Sequence, residues 1–546
     1  MTIIIFSFII LWLIRETKAI LFWLYLWQLK EYRIDRFLDH FRTEKGKQLF
    51  LNKLFLFKIF LLFFYFFFFQ PWWAGIYIFF SILFLLYFLE SIKAFKDFFQ
   101  ARLKKPVPTL KAIFLFWVAG ILTALFPFFL FFQAKVDFYS GLLIFDTLTP
   151  LIVSVIILFF QPLTILWKKL IIKKAKQKRS TFKSLLVIGI TGSYGKSSTK
   201  EFLATILTEK FNVLKTKEHQ NTEIGVSQCI LNELKSEHEI FIVEMGAYKK
   251  GEIKTLCQIT QPKIGIITGI NEQHLALFGS MENLLSAEGG KELIDSLPED
   301  GLVIFNGNNQ HCFKTYQETK IKKKICSSKP FPERQNLITP DILAKEIKLE
   351  KEFISFKIFS NDNQSAEVRV NLVGGQNVEN LLLAICCAKG LGMNLAEISQ
   401  ACQKITPEQG GIRLKKGKNG LNIIEATYSA NPDSVISHLE YLKIWGGKKI
   451  IIMPCLIELG KATKEVHKRI GKKIGEICNL AIITTKEQFQ RIKEGAIEIG
   501  MREDDILFLE NPREIFEKIK NFNQLEDIIL LEGRLSKELL EILSIT

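Results

Sequence analysis

The stretch SLLVIGITGSYGKSSTKEFLATIL, residues 184–207, decides the fold of most of this chain. Its first part, Leu185 to Ile190, is an apolar β-branched run suited to a buried strand; a glycine-bearing turn follows, and a helix is expected from about Gly195. Gly192 and Gly195 let the backbone wrap an anion, and Thr191, Ser193 and Tyr194 complete the turn. The helix start offers free N–H groups, Lys196 can reach the outer phosphates of a nucleotide, and Ser197 or Ser198 can ligate Mg²⁺. Strand, glycine turn and helix together predict a phosphate-binding loop in an α/β domain. The loop departs from G-x-x-x-x-G-K-[ST]: Ile190 stands where the first glycine belongs and Gly189 lies one residue early.

Downstream, short β-branched runs continue to alternate with helical periods. Residues 184–405 are expected to form a central ATPase domain with a hairpin near residues 353–373. Residues 406–546, with runs such as KKIIIMP, LAIITT and IILLE, are expected to form a Rossmann-like C-terminal domain. All nine cysteines lie after residue 184, with no C-x-x-C spacing, which suits buried, reduced thiols.

Upstream the composition changes. Of 48 Phe and 8 Trp in the 546 residues, 34 and 7 precede residue 184. The fold class is therefore an α-helical transmembrane region, residues 1–167, followed by α/β domains. Four apolar stretches are candidate spans: 54–69, 72–89, 112–132 and 142–163. A fifth, 3–27, is interrupted by Arg15, Glu16 and Lys18, and is expected to be one short span followed by an interfacial helix. Lys58 is the exception in spans otherwise read as nearly free of midplane charge, which weighs against a transporter. The loops 29–53 and 90–111 are rich in Lys and Arg, whereas the connections Gln70-Pro71 and Gln133 to Asp137 carry only Lys135. Basic loops face the cytoplasm. A basic linker, residues 168–183 with eight Lys/Arg and no acid, places the α/β domains there too. The formal charge of +16 thus reflects topology, and no nucleic-acid partner is expected.

Further motifs follow in a fixed order. They are KTKEHQNTEIGVSQCIL (215–231), FIVEMGAYKKGEI (241–253), IGIITGINEQHLALFGSMENL (264–284), VGGQNVENLLLAI (373–385), GIRL (411–414), TYSANPDS (427–434) and LIELGKATKEVH (456–467). With the phosphate loop, they resemble the Mur ligase family, ATP-dependent enzymes that join a carboxylate to an amine in bacterial cell-wall synthesis. The later motifs resemble the branch that adds D-alanyl-D-alanine to UDP-N-acetylmuramoyl-tripeptide. The resemblance covers about residues 184–546.

The resemblance implies ATP and Mg²⁺, a muramoyl-peptide-like carboxylate and a D-alanyl-D-alanine-like amine. It gives Lys196 the neutralisation of phosphate charge, Ser197 and Glu244 one Mg²⁺, and His274 a second metal. The family then uses a carbamylated lysine; here the ungapped position is Glu288, with Lys291 one helical turn later. Glu288 is the preferred residue, because its carboxylate needs neither gap nor modification; a carbamylated Lys291 and a solvated pair between the two are the alternatives. Asn380 and Arg413 resemble nucleotide-side residues, although Arg413 also suits a surface charge. Ala426, beside Glu425, replaces an expected Asp. Asn431 and Pro432 suggest a turn, with Asn431 placed to face the amine; Glu458 and His467 match, and His467 on a Lys-rich helix also suits the surface.

The soluble members begin with a domain that grips the UDP-sugar, and here apolar stretches occupy its place. The leading expectation is a multi-pass plasma-membrane protein with cytoplasmic catalytic domains and D-alanyl-D-alanine-adding activity. The same chemistry on a lipid-linked or poly-amino-acid substrate, and a non-catalytic nucleotide-binding membrane protein, are the alternatives.

Overall fold

A computed structural model describes residues 2–41, 44–69, 73–100, 102–132, 138–329, 338–428 and 430–543. The chain divides into two units, Met1–Lys168 and Lys169–Thr546.

The first unit is helical: α1 (Thr2–Leu29), α2 (Ile34–His40), α3 (Glu44–Leu51), α4 (Lys53–Phe64), α5 (Trp73–Phe99), α6 (Leu110–Phe132) and α7 (Phe138–Phe159). Among the described residues three segments, Tyr77–Phe99, Leu110–Phe131 and Phe138–Phe159, are long and apolar enough to cross a membrane. Helix α4 has only 12 residues before a π-helical turn at Tyr65–Phe69. The connections expected at 70–71 and 133–137 lie outside the described residues.

Helix α1 is not broken at its charges, and its interior explains why. The Arg15 guanidinium lies 2.8 Å from Glu16 and 2.5 Å from Asp146, and the Lys58 ammonium lies 2.7 Å from Asp146 and 2.6 Å from Glu90. The Thr149 hydroxyl donates to Glu16 at 2.6 Å and the Tyr87 hydroxyl to Asp146 at 3.2 Å. Glu16, Lys58 and Asp146 are at most 2% exposed. Lys58 is therefore no isolated exception. Burying these charges is tolerable because each replaces lost water with an opposite charge or a hydroxyl donor.

Helix α8 (Gln161–Ser180) carries the basic stretch into the second unit. There Arg179, buried, donates to the carbonyls of Thr260, Phe182 and Leu185 at 2.8, 2.8 and 3.2 Å.

The second unit contains two sheets. The first runs in the order β2 (Val213–Lys215), β3 (Ile240–Glu244), β1 (Leu186–Thr191), β4 (Ile264–Ile267), β5 (Leu302–Asn306), β6 (Lys322–Ser327), β7 (Ile342–Leu349), β8 (Ile354–Ser360) and β9 (Ser365–Val370). Pairing is parallel from β2 through β7 and antiparallel across β7, β8 and β9, so the expected hairpin is β8–β9. Successive β1 residues enter opposite cores: Val187 packs with Phe241 and Val243, while Ile188 and Ile190 pack with Phe202 and Leu381. A strand covered on both faces has to be apolar throughout, as this one is. The connection after β1 leads toward the β2 edge and the one after β4 toward the β6 side, so the carboxyl ends of β1 and β4 flank the switch point where α/β sheets bind ligands.

The second sheet runs β10 (Arg413–Lys416), β11 (Asn422–Ala426), β15 (Ile528–Glu532), β12 (Lys449–Met453), β13 (Leu480–Ile483) and β14 (Ile506–Phe508); only β10 is antiparallel to its neighbour. The α/β reading thus holds for both domains.

Removing one member of the buried charge cluster should be more harmful than its surface chemistry suggests. Lys58→Ala is expected to cost about 3–5 kcal/mol, because Asp146 and Glu90 lose a shared cation. Thermal melting of the detergent-solubilised full chain checks this; an unchanged midpoint would contradict it.

Candidate active site

The phosphate loop follows β1 and ends at helix α9 (Lys196–Leu207). Gly192 and Gly195 have φ of 143° and 78°. A Cβ at Gly192 would lie 2.1 Å from Thr268 Oγ1, and one at Gly195 would lie 2.4 Å from Asn380 Oδ1, so space and conformation both demand glycine. Gly189 is different: it lies within β1, and a Cβ there would meet Met245 at 2.8 Å. Its early position therefore serves strand packing.

The loop is gripped by the segment after β4. Ser193 N–H donates to Gly269 O at 2.7 Å, and Thr268 Oγ1 donates to the carbonyls of Tyr194 and, at 3.1 Å, Thr191. Asn309 Nδ2 donates to the Tyr194 hydroxyl at 3.2 Å. Lys196, at the first helical position, places its ammonium over the Gly192 carbonyl. Asn380 is buried beside the start of α9, with its Oδ1 accepting from Thr199 at 3.4 Å.

Glu244 ends β3 and is 5% exposed. Lys200 lies 3.2 Å from its Oε2 and Asn221 Nδ2 donates to its Oε1 at 3.1 Å. Burial alone would raise this carboxyl; Lys200, Lys196 and hydrogen bonds from Asn221 and Ser197 outweigh burial and hold it below the usual carboxylate value. Lys200 escaped the motif reading, although it stands four residues after Lys196 on α9, the spacing that puts two side chains on one helix face.

His274 follows β4 with left-handed backbone, φ 65°. Its Nδ1 lies 3.0 Å from Glu288 Oε1, and Ser193 Oγ donates to Glu288 Oε2 at 2.9 Å. Glu288, 1% exposed, therefore joins the phosphate loop to His274. Lys291 is not brought into this cluster. The helix Met281–Ser286 ends before Glu288, Gly290 takes φ 88°, and Lys291 opens a new short helix with its side chain exposed. The one-turn relation between Glu288 and Lys291 is consequently not realised.

The C-terminal domain reaches the same place. Glu458, also left-handed at φ 67°, lies 3.8 Å from His274 Nε2, and its carbonyl accepts from Ala276 N–H at 2.9 Å. His467 is fully buried, not at the surface: its Nε2 accepts from Leu456 N–H at 2.9 Å and its Nδ1 lies 2.6 Å from Thr463 O. It thereby fixes the loop that carries Glu458. Burial lowers its pKa, the Thr463 carbonyl opposing more weakly, so the neutral ring is favoured.

Asn431 is the N-cap of the helix Pro432–Leu442, with Pro432 in its first turn. Its Oδ1 already accepts from Asp433 N–H, Ser434 N–H and Asn271 Nδ2, at 3.1, 3.1 and 3.0 Å. Capping and a contact between the domains thus engage the Asn431 oxygen. Asn271, which lies in the 264–284 stretch without a role assigned from sequence, also donates to Asp433 at 2.8 Å. Arg413 is exposed at the start of β10, opposite Glu425 in register; nearby, a Cβ at Gly411 would stand 3.8 Å from Ser198 Oγ.

Among the described residues no group of three His, Cys, Asp or Glu side chains could hold a metal unaided. Ser197 and Glu244 nonetheless fit Mg²⁺, which favours hard oxygen donors, needs only one or two from protein and completes its shell with phosphate and water. Their placement beside Lys196 suits charge neutralisation at a nucleotide phosphate.

Such a loop at the switch point of a parallel sheet, with a second α/β domain facing it, defines a nucleotide-binding α/β protein. Residues 190–388 match the Mur ligase middle domain, and residues 412–535 match the Mur ligase glutamate ligase domain. The chain belongs to the Mur ligase family. The UDP-N-acetylmuramoyl-tripeptide--D-alanyl-D-alanine ligase of Bacillus subtilis is 27% identical over 359 residues, covering 65% of this chain and 74% of that one. Those of Synechocystis sp. and Escherichia coli are 29% and 27% identical, covering 53% and 52% of this chain but only 59% and 61% of their own lengths. Crystal structures of MurF from Acinetobacter baumannii and of MurF from Thermotoga maritima with ADP share the fold, with TM-scores of 0.60 and 0.56 at 24% identity, covering 69% of this chain and 80% and 83% of theirs.

Two consequences are measurable. Because the folded-state pKa of His467 is lowered, its stabilisation is complete above the ordinary histidine value and fades as pH falls toward the folded value; the melting-temperature gap between wild type and His467→Ala should shrink from about pH 7.5 to about pH 5.5. A constant gap would contradict this. Glu288→Ala should reduce ATP-dependent phosphate release about 10²-fold and Lys291→Ala by far less. Inactivity of Lys291→Ala alone, with wild type stimulated by bicarbonate, would restore the carbamylated lysine.

Proposed function

We propose that this chain is a membrane-anchored, ATP-dependent ligase. It joins the carboxylate of a muramoyl-tripeptide-like substrate to the amine of a D-alanyl-D-alanine-like acceptor. The observation that carries the reading is the convergence of Lys196, Glu244, His274 and Glu288 at the carboxyl ends of β1, β3 and β4.

Joining a carboxylate to an amine at neutral pH requires a better electrophile. A carboxylate oxygen attacks the γ-phosphorus of ATP and ADP leaves; the amine then attacks the acyl carbon, and phosphate departs with the former carboxylate oxygen. Lys196 offsets charge on the β and γ oxygens, and the Glu288–His274 pair aligns the acyl phosphate against the second domain. Ser197 and Glu244 would hold Mg²⁺, which supplies further charge neutralisation. Asn380, beside the loop, and Arg413, near the domain junction, are proposed to contact the nucleotide.

The names of the relatives support the substrate class. Membrane anchoring is supported by the three long apolar helices and by their exposed faces, where Phe128, Phe131 and Phe159 are 68%, 75% and 75% exposed. The basic loops favour cytoplasmic catalytic domains. With the ligase domains joined to long apolar helices, a lipid-linked carboxylate presented at the bilayer is the favoured donor.

Phosphate release by the detergent-solubilised full chain tests this. ATP and Mg²⁺ are supplied with D-alanyl-D-alanine and either UDP-N-acetylmuramoyl-tripeptide or its lipid-linked counterpart. Release is expected to require the dipeptide and one donor, and to vanish in Lys196→Ala. No stimulation by either donor, in protein that still binds ATP, would overturn the ligase reading in favour of a non-catalytic nucleotide-binding protein.

A further inference from the structure

The helical unit contains a cavity of about 470 Å³ lined by six cations, Arg15, Lys18, Lys58, Lys93, Arg102 and Lys104. Three carboxylates share the lining, Glu90, Asp97 and Asp146. All three are engaged. Glu90 and Asp146 are held by Lys58 and Arg15 at the buried end, and Asp97 is 2.5 Å from Lys18. The remaining acid of the cluster, Glu16, is taken by Arg15 and Thr149.

Three cations are left over. Lys93, Arg102 and Lys104 have no carboxylate at ion-pairing distance among the described residues. Lys104 reaches the Phe22 ring, with its ammonium 6.0 Å from the centroid. All three are exposed, so they are free to close on a ligand. The rest of the lining includes Phe22, Trp23, Leu54 and Phe55, an apolar wall continuous with a charged mouth.

The chemistry that such a cavity recognises is compact and multiply anionic at one end and apolar at the other. A phosphate or diphosphate ester meets the first condition, because several oxygens can accept from Lys and Arg together. A hydrocarbon chain meets the second, since a free phosphate would leave the aromatic wall against water. The volume lies in the range of small-ligand sites.

We propose that this cavity binds the phosphate-bearing head of a lipid, and that the carboxylate substrate of the ligase arrives carried on such a lipid phosphate. The second clause rests on the ligase reading; the binding itself does not.

The test uses the full chain in phosphatidylcholine nanodiscs, with a labelled polyprenyl diphosphate as probe and inorganic pyrophosphate as competitor. Saturable binding is expected, with pyrophosphate competing poorly. Lys93→Gln/Arg102→Gln/Lys104→Gln should weaken binding about 100-fold, the loss for three cations near a membrane surface. Lys104→Glu alone should weaken it about tenfold, which guards against misfolding of the triple variant. ATP binding should be unchanged in both, and Lys196→Ala should bind the lipid normally. No saturable binding, wild-type binding by both variants, or equal competition by pyrophosphate would overturn the proposal. Lipid binding without phosphate release would overturn the ligase reading alone; phosphate release with the UDP-linked donor and no lipid binding would overturn this one alone.

Discussion

A carboxylate almost sealed from water organises the catalytic end of this protein. Glu288, 1% exposed, lies between the Ser193 hydroxyl and the His274 imidazole. A carboxylate so placed is stable only while hydrogen bonds or opposite charge replace its lost hydration. The phosphate loop, the segment after β4 and the turn at residues 287–290 are therefore fixed relative to one another. His274 extends the chain of contacts to Glu458, so the second domain is registered against the same point.

Both units of the chain use this constraint, for different ends. In the helical unit Arg15, Lys58, Glu90 and Asp146 neutralise one another, and an interrupted apolar sequence becomes an unbroken helix. In the α/β unit Lys200 and Lys196 stabilise Glu244 as the anion despite its burial. The first arrangement holds helices together; the second keeps an anionic oxygen donor ready beside a phosphate loop.

Local order made the phosphate loop legible. A strand buried on both faces, two glycines in left-handed or similarly restricted backbone and a helix beginning at Lys196 lie within a few residues of one another, where composition and spacing carry the information. The hairpin β8–β9 and the strands β12, β13 and β15 were legible for the same reason. Relations distant in sequence were not. Lys58 meets Asp146 across 88 residues, and Asn271 meets Asn431 across 160, so no spacing announces either pair. His467 matched a motif yet suited the surface as well, because lysines surround it in sequence; its side of the helix packs inward. Glu288 and Lys291 looked like neighbours on one helix, but the helix Met281–Ser286 ends before Glu288 and a turn through Gly290 separates it from Lys291. Helical periodicity presumes an uninterrupted helix, and a glycine turn voids that presumption.

In the reaction proposed for this protein, ATP activates a carboxylate by taking its oxygen onto phosphorus. The tripeptide donor, with both oxygens of its terminal carboxylate replaced by ¹⁸O, is supplied together with ATP, Mg²⁺ and D-alanyl-D-alanine, and the released phosphate is examined by mass spectrometry. Each phosphate formed by the wild-type protein is expected to carry one ¹⁸O atom. Product formation with unlabelled phosphate would contradict it.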